Sequence, residues 1–363
     1  MDIPRNTSAP PQDPREPQDP TPQDMLNPYE NLTSLVDATG RRGTGVSGSG
    51  VSSGKVRIGD RVFSGLSRGS GVLLLVIMAA IAVFLTIRAG YAISADHGNF
   101  LTTADWQTQN DPIVFGVAAI ATGTVVTAVI AMVLAVPIAV GIALFISHYA
   151  PRRIAQGLGY VVDLLAAVPS IVYGLWGALF LVPHMLGVNA WLNQYFGWTF
   201  VFHQLQPGAQ PRSLFTVGVL LAIMILPIIT AVTREIFLQV PRAHEEAALA
   251  LGATRWEVIR TAVLPFGRSG IISASMLGLG RALGETMAVA TVLSPSYVIN
   301  FHVLDPAGST IAQTIATQFG EASTVGRDAL IAAGLVLFVI TLLVNSGARL
   351  IIARRKEYSG ADA

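Results

Sequence analysis

The chain has 363 residues, of which 52% are hydrophobic and 12% are charged, and its formal net charge is +1. Soluble domains carry about 25% charged residues, so this composition indicates a membrane protein, and the near-neutral charge gives no reason to expect a nucleic-acid partner. Cysteine is absent, which excludes disulfides, zinc–thiolate sites and thiol catalysis.

Residues 1–68 are predicted to form a disordered cytoplasmic N-terminal tail. Proline, glutamine and aspartate dominate residues 1–29, and a glycine- and serine-rich stretch follows. Such a composition buries too little apolar surface to offset the entropy of ordering. The start also lacks the basic and apolar segments of a secretory signal, so the tail is expected to stay on the chain. Gly54-Lys55 does not complete a nucleotide-binding loop, because Ser49 stands where that motif needs glycine.

Six apolar runs are long enough to cross a membrane, which takes about 20 residues. They cover roughly residues 71–93, 113–147, 158–182, 213–236, 269–294 and 328–352. We therefore predict an all-α polytopic membrane protein with six transmembrane helices. The transmembrane domain is expected to cover residues 69–355, and a cytoplasmic C-terminal tail to cover residues 356–363.

The distribution of lysine and arginine predicts the orientation in the membrane. Basic residues are concentrated before the first run, after the sixth, and in the loops that follow the second and fourth runs. Both termini are therefore expected in the cytoplasm. The aromatic residues Trp106, Trp191, Tyr195 and Trp198 follow the first and third runs and are expected to form a belt at the outer interface.

The segment between the fourth and fifth runs is predicted to form two short cytoplasmic helices. Gly252 can adopt the left-handed conformation that ends the first helix. Thr254 and Glu257 have the spacing of a capping box that begins the second, and Pro265 is expected to end it. Small and acidic side chains on the first helix suit either a partner's groove or the membrane surface, and these physical arguments leave both open.

The same segment, about residues 239–266, resembles the EAA loop of ABC importer permeases. The residues that carry the resemblance are Glu246, Ala247, Ala248, Gly252, Leu264 and Pro265. Ala262 departs from the family, which usually has isoleucine there. In that family the loop docks on a cytosolic ATPase, so the resemblance implies this coupling role for these residues. It also implies that ATP is bound by the partner, and that this chain carries no cofactor of its own.

Two charged residues interrupt the fifth run, Arg281 and Glu285. Their spacing predicts that they share one face of a continuous helix. A bare charge in hydrocarbon costs at least about 2.5–3.5 kcal/mol, so either of two interpretations applies. The two residues form a self-neutralising pair that fixes helix packing, or Arg281 lines a path and meets an anion. In the second case Glu285 holds Arg281 in the absence of substrate, and Thr286 offers a hydroxyl.

The run of residues 281–289, RALGETMAV, closely resembles the matching span of the PstC family, whose members are permease subunits of phosphate-specific ABC importers. Met287 and Ala288 favour PstC over the sister permease family PstA, which usually has Ala-Pro there. The resemblance covers roughly residues 110–355.

A second match lies in the third run, where residues 163–177 resemble the Pro-Ser-x-x-Tyr-Gly region of the same family. Asp163 stands where many members have glutamate. The match makes Ser170 and Tyr173 further candidates for the substrate path. A helix break at Pro169 explains the same pattern in purely structural terms.

The resemblance implies a type I ABC importer permease fold and the import of inorganic phosphate across the bacterial inner membrane. It implies three kinds of protein partner: a PstA-like second permease subunit, a PstB-like cytosolic ATPase dimer and a PstS-like external phosphate-binding protein. The chain is then a transport subunit in the lipid bilayer and not an enzyme. Neither catalytic residues nor a metal site are expected.

Three alternatives compete with this interpretation. A PstA-type subunit or a sulfate or molybdate permease would share the EAA loop, although the RALGETM run argues against them. An ion-driven secondary transporter would show internal repeats in hydropathy, and none is apparent. An additional role in signalling phosphate status stays open.

Overall fold

The computed structural model of the chain describes residues 58–108 and 112–359. Within these residues six helices are long and apolar enough to cross a membrane, which confirms the predicted all-α polytopic fold. These candidate spans are Val62–Ala95, Ala118–Tyr149, Ser170–Phe196, Leu214–Leu238, Arg255–Leu283 and Thr324–Ile351.

The chain divides into two units, residues 1–73 and 74–363, and the boundary falls inside the first helix, α1 (Ile58–Ala95). The predicted tail lies outside the described residues up to position 57, and so does the Gly54-Lys55 pair. From Ile58 onward the predicted tail is helical instead. A helix extends at little cost beyond its apolar run once it has begun, because each further residue adds a hydrogen bond.

A short antiparallel ribbon follows α1, with β1 (Trp106–Gln107) paired to β2 (Val114–Phe115). Trp106 is buried in this ribbon, and its indole Nε1 donates to Gln318 Oε1 over 2.8 Å. Its predicted place in an interfacial belt is therefore wrong, since the indole N–H is satisfied inside the protein. Trp191 and Trp198 are exposed as expected of belt residues.

The second span is α2 (Ala118–Leu144), which continues as a π-helical turn, Phe145–Tyr149. It packs along α6 (Leu214–Leu238). Alanines on α2 allow this close approach, because small side chains let membrane helices come together. The buried residues of this contact include Ala131, Ala135, Ala139, Val217, Leu221 and Ile225.

The predicted third span, residues 158–182, is displaced in the structure. A separate amphipathic helix, α3 (Arg152–Ala166), precedes Pro169. The span itself consists of α4 (Ser170–Trp176), a π-helical turn (Gly177–Leu181) and α5 (Val182–Phe196). Pro169 separates α3 from α4 because proline lacks the amide N–H and disfavours helical geometry in the residue before it. Trp191 and Tyr195 consequently lie within α5 rather than in a loop.

Two short helices follow α6, namely α7 (Arg242–Ala250) and α8 (Arg255–Val258). The prediction that Pro265 ends the second helix is wrong. The chain runs on through a π-helical turn (Ile259–Val263) into α9 (Leu264–Leu283). The wider turn just before Pro265 accommodates the proline, which lacks the N–H that a regular helical turn would use.

The predicted continuous fifth span, residues 269–294, is also wrong, because α9 ends at Leu283. A break at Gly284 separates it from α10 (Met287–Val292). Glycine is a poor helix residue, and here it occupies the C-cap of α9. The remaining helices are α11 (Ile311–Gln318) and α12 (Thr324–Ser359).

Candidate functional site

The break between α9 and α10 places Arg281 and Glu285 differently from the prediction. Arg281 lies in the last turn of α9, whereas Glu285 lies beyond its end, so the two do not share a helix face. Glu285 is only 7% exposed, and its Oε1 accepts the backbone N–H of Ala288 over 3.2 Å. Glu285 therefore stabilises the start of α10, where an anionic side chain complements the helix dipole.

Arg281 is half-buried and has no carboxylate partner in the described part of the chain. The salt bridges within 4.0 Å among these residues are Arg88–Asp328, His148–Glu245, Arg234–Asp163 and Arg234–Glu235. The geometry therefore does not support a self-neutralising Arg281–Glu285 pair. Arg281 instead lines a cavity of about 540 Å³ between α9 and α12.

Tyr173 is buried on α4, and its hydroxyl donates to the Leu165 carbonyl over 2.9 Å. This bond ties α4 to the end of α3 across the Pro169 break. The guanidinium of Arg281 is near enough to act electrostatically on the Tyr173 phenol. The structure therefore brings these two predicted residues into one neighbourhood, although they are more than 100 positions apart in the chain.

Thr286 and Ser170 are held at helix starts near this neighbourhood. Thr286 is the N-cap residue of α10, and its carbonyl accepts the Ala290 N–H over 2.9 Å. Ser170 is the first residue of α4 and is half-buried. In the described residues its hydroxyl has no hydrogen bond, and no contact joins it to Arg281.

The two segments that resemble a known family, in the third and fifth runs, meet in space. A Cβ added at Gly174 on α4 would lie 2.8 Å from the Cα of Ala288 on α10. Only glycine permits this approach, because the neighbouring atom belongs to the backbone and has little room to move. This contact packs α10 on α4 and so fixes the position of Thr286 at the start of α10.

We expect Gly174→Ala to destabilise the protein and Gly187→Ala to stabilise it. The first variant forces a methyl group onto the Ala288 backbone, and such overpacking costs about 1–3 kcal/mol. The second is the matched control, since nothing lies within 4 Å of a Cβ at Gly187 and alanine is favoured in a helix by up to about 1 kcal/mol. Thermal unfolding in detergent measures both. A neutral Gly174→Ala would contradict the close packing of α4 on α10.

The second predicted site is built around α7, and none of the residues of α7 is buried. Leu249 is 51% exposed and Leu251 is 90% exposed. Of the predicted coupling residues, Glu246, Ala247, Gly252 and Pro265 are exposed, while Ala248 and Leu264 are half-buried. The helix thus offers a continuous surface that the described part of this chain does not cover.

The turn after α7 has the predicted geometry. Gly252 adopts the left-handed conformation with φ +84°. Its N–H donates to the Leu249 carbonyl over 2.9 Å, and the Ala253 N–H donates to the Ala248 carbonyl over 3.2 Å. This pair of bonds is a Schellman motif. The predicted capping box of Thr254 and Glu257 is also present.

One contact that sequence reasoning missed connects α7 to the membrane helices. Glu245 Oε1 on α7 lies 3.6 Å from His148 Nε2, in the turn that ends the second span. His148 also contacts Ser147 Oγ through Nδ1 over 2.7 Å and packs edge-on against Phe237 of α6. These contacts join α7 to the end of the second span and to α6. No local sequence signal identifies this pair, because the two residues lie far apart in the chain.

Comparison with known proteins places residues 135–357 in the family described as binding-protein-dependent transport system inner membrane component. The phosphate transport system permease protein PstC 2 of Mycobacterium tuberculosis is 46% identical, over 81% of this chain and 92% of that protein. PstC of Mycobacterium leprae is 44% identical, over 76% of this chain and 87% of that protein. PstC of Mesorhizobium japonicum is 39% identical, over 83% of this chain and 92% of that protein.

Proposed function

The chain belongs to the family of binding-protein-dependent transport system inner membrane components, and we propose that it is the permease subunit of an ATP-driven importer of inorganic phosphate. The observation that carries the proposal is its 46% identity, over 81% of the chain, to a protein named as a phosphate transport permease. The chain is a transport subunit and not an enzyme. ATP hydrolysis belongs to a separate subunit, and the chain needs no cofactor of its own.

In this proposal α7 is the surface through which ATP hydrolysis moves the permease. The exposure of Leu249 and Leu251, together with the absence of buried residues in α7, supports a docked partner, because exposed apolar surface marks an interaction site. The partner is a cytosolic ATPase dimer of the PstB type. The docking residues are those of the EAA loop: Glu246, Ala247, Ala248, Gly252, Leu264 and Pro265.

The substrate path runs past Arg281 in the same proposal. A guanidinium matches phosphate oxygens with two parallel hydrogen bonds and stays charged at physiological pH. The absence of a carboxylate partner in the described residues leaves Arg281 available for an anion. Tyr173, Ser170 and Thr286 add hydroxyl groups to the path, and Glu285 keeps the α10 end of the break in position.

The remaining partners complete the transporter. A PstA-like permease subunit forms the other half of the path, and a PstS-like binding protein delivers phosphate from outside. The basic residues of the predicted cytoplasmic loops support an orientation with both termini in the cytoplasm. The description of the matching family supports a bacterial inner membrane location. The domain organisation that we propose is a tail that ends before Ile58, a permease domain from α1 to residue 355 and a C-terminal tail over 356–363.

Uptake measurements in cells that lack the chain test this function. Wild-type protein supplied on a plasmid is expected to restore ATP-dependent uptake of labelled phosphate at low external concentration, and to leave sulfate and molybdate uptake unchanged. Restored sulfate or molybdate uptake without phosphate uptake would show that phosphate is not the transported ion. Phosphate uptake that follows the ion gradient and not ATP would instead identify a secondary transporter.

A further inference from the structure

The cavity beside Arg281 contains a second arginine that sequence reasoning did not identify. Its lining residues on α9 are Ser273, Met276, Leu277, Gly280 and Arg281, and those on α12 are Asn345, Ala348 and Arg349. The volume of about 540 Å³ falls within the range of roughly 300–1,000 Å³ that is usual for small-molecule sites. The lining therefore includes two arginines, one asparagine and one serine, of which Arg281 is half-buried and the other three are exposed.

The charges in this cavity are not balanced by the described part of the protein. No lining residue is acidic, and neither Arg281 nor Arg349 forms a salt bridge with any side chain that the structure describes, which excludes those of residues 352–363. Two like charges on neighbouring membrane-spanning helices repel each other, and either charge is costly where it faces hydrocarbon. An oxyanion between or beside them removes this cost, because each guanidinium can bind two of its oxygens.

On the predicted topology, the two arginines lie at different depths in the membrane. The α9 lining extends from Ser273 to Arg281, which at 1.5 Å per residue corresponds to about 12 Å along the helix axis. On the predicted topology α9 rises from the cytoplasm and α12 returns to it. Arg349, near the end of the sixth span, is then on the cytoplasmic side of Arg281.

The neutral groups of the cavity suit a phosphate oxyanion. The Asn345 amide can donate to a phosphate oxygen. The Ser273 hydroxyl already donates to the Ser269 carbonyl over 2.9 Å, so its oxygen is left as an acceptor. A hydroxyl acceptor matches a protonated phosphate oxygen, which the fully ionised sulfate dianion lacks.

We propose that Arg349 and Arg281, with Asn345 and Ser273, form a binding site for a phosphate oxyanion in the cavity between α9 and α12. The anion is either free inorganic phosphate on its way to the cytoplasm, which rests on the proposed function, or the headgroup of an anionic phospholipid. In the first case Arg349 accepts the anion after Arg281 and is a second binding residue of the path.

Cysteine labelling tests the site directly, because the chain contains no cysteine. The complete transporter, carrying Ser273→Cys in this chain, is purified in maltoside detergent without added phospholipid. Anionic and cationic methanethiosulfonate reagents of similar size are compared. We expect the anionic reagent to react about tenfold faster relative to the cationic one at low salt, because the cavity field concentrates anions. Arg349→Gln in the same background is expected to abolish this preference.

Arg268→Gln is the matched control for the lost charge. Arg268 is an exposed residue of α9 that does not line the cavity, so this variant is expected to keep the preference for the anionic reagent. An equal loss of preference with Arg268→Gln would overturn the assignment to Arg349. Equal reactivity of the two reagents at Ser273→Cys would overturn the site itself.

Protection of the cysteine identifies the source of the anion. Slower labelling with inorganic phosphate indicates the transported ion, and about a tenfold loss of uptake is then expected for Arg349→Gln. Slower labelling with phosphatidylglycerol alone indicates a lipid site, with uptake retained. If neither slows the reaction, the proposal is wrong even where wild-type uptake upholds the proposed function. If lipid slows the labelling but the wild-type chain restores no phosphate uptake, the proposed function is wrong and the anion site stands.

Discussion

Replacing Arg281 with alanine is expected to reduce ATP-dependent phosphate uptake by about a hundredfold or more. Hydrogen bonds to a charged group contribute about 1.5–3 kcal/mol each, and a bidentate arginine supplies two of them to the anion. Every 1.4 kcal/mol corresponds to about a factor of ten, so the loss of both bonds gives this magnitude. The measurement is the initial rate of labelled phosphate uptake in cells that lack the native chain, at matched membrane expression.

The structure predicts that the Arg281→Ala variant folds normally. Lost uptake in a normally folded variant would identify Arg281 as a residue of the path and not of helix packing. The described residues contain no salt-bridge partner that the change would leave unpaired, and Glu285 keeps its bond to the Ala288 N–H. Arg281→Lys is the matched variant, since it keeps the charge but loses the planar bidentate geometry, and an intermediate rate is expected. Normal transport by Arg281→Ala would remove Arg281 from the path.

Replacing Gly252 with valine is expected to reduce phosphate uptake by about tenfold or more, because it distorts the turn after α7. A left-handed backbone costs an L-residue about 1–2 kcal/mol, and more when the residue is β-branched. The space around Gly252 is open, with nothing within 4 Å of an added Cβ, so backbone conformation is the only term that the change affects. The Schellman bonds of Gly252 and Ala253 would break, and α7 would leave its place for docking.

Gly252→Asn is the control for this turn, because asparagine tolerates the left-handed region and is a common alternative to glycine there. Its uptake is expected to stay near wild type. Co-purification of the ATPase with each variant distinguishes loss of docking from loss of the path, and only the valine variant is expected to release it. Equal losses for the valine and asparagine variants would show that the glycine has another role.

Local chemistry explains what the sequence predicted correctly. The six spans follow from apolar runs long enough to cross a membrane, and such runs need no knowledge of their neighbours. The capping box of Thr254 and Glu257 and the left-handed Gly252 are likewise contacts within a few residues. The motifs that resemble a known family could also be located, because each is a run of neighbouring residues in the sequence.

The errors of sequence interpretation occur where helices begin and end. The apolar run over residues 269–294 hides a break at Gly284, because hydropathy does not report helix termination. Pro265 was expected to end a helix, yet a π-helical turn beside it lets the helix continue. The third span was placed too early, since α3 has an apolar face although it lies outside the candidate span.

The sequence by itself therefore determined the membrane class, the number of spans, the geometry of the turn after α7 and the residues Arg281 and Tyr173 as candidates. Tertiary structure alone decided that Glu285 accepts the Ala288 N–H of α10 instead of pairing with Arg281, that Glu245 contacts His148, and that Arg349 lines the same cavity as Arg281. The physical reason is distance along the chain. Helix length and caps depend on neighbouring residues, whereas ion pairs and cavities form between helices whose packing no local pattern specifies.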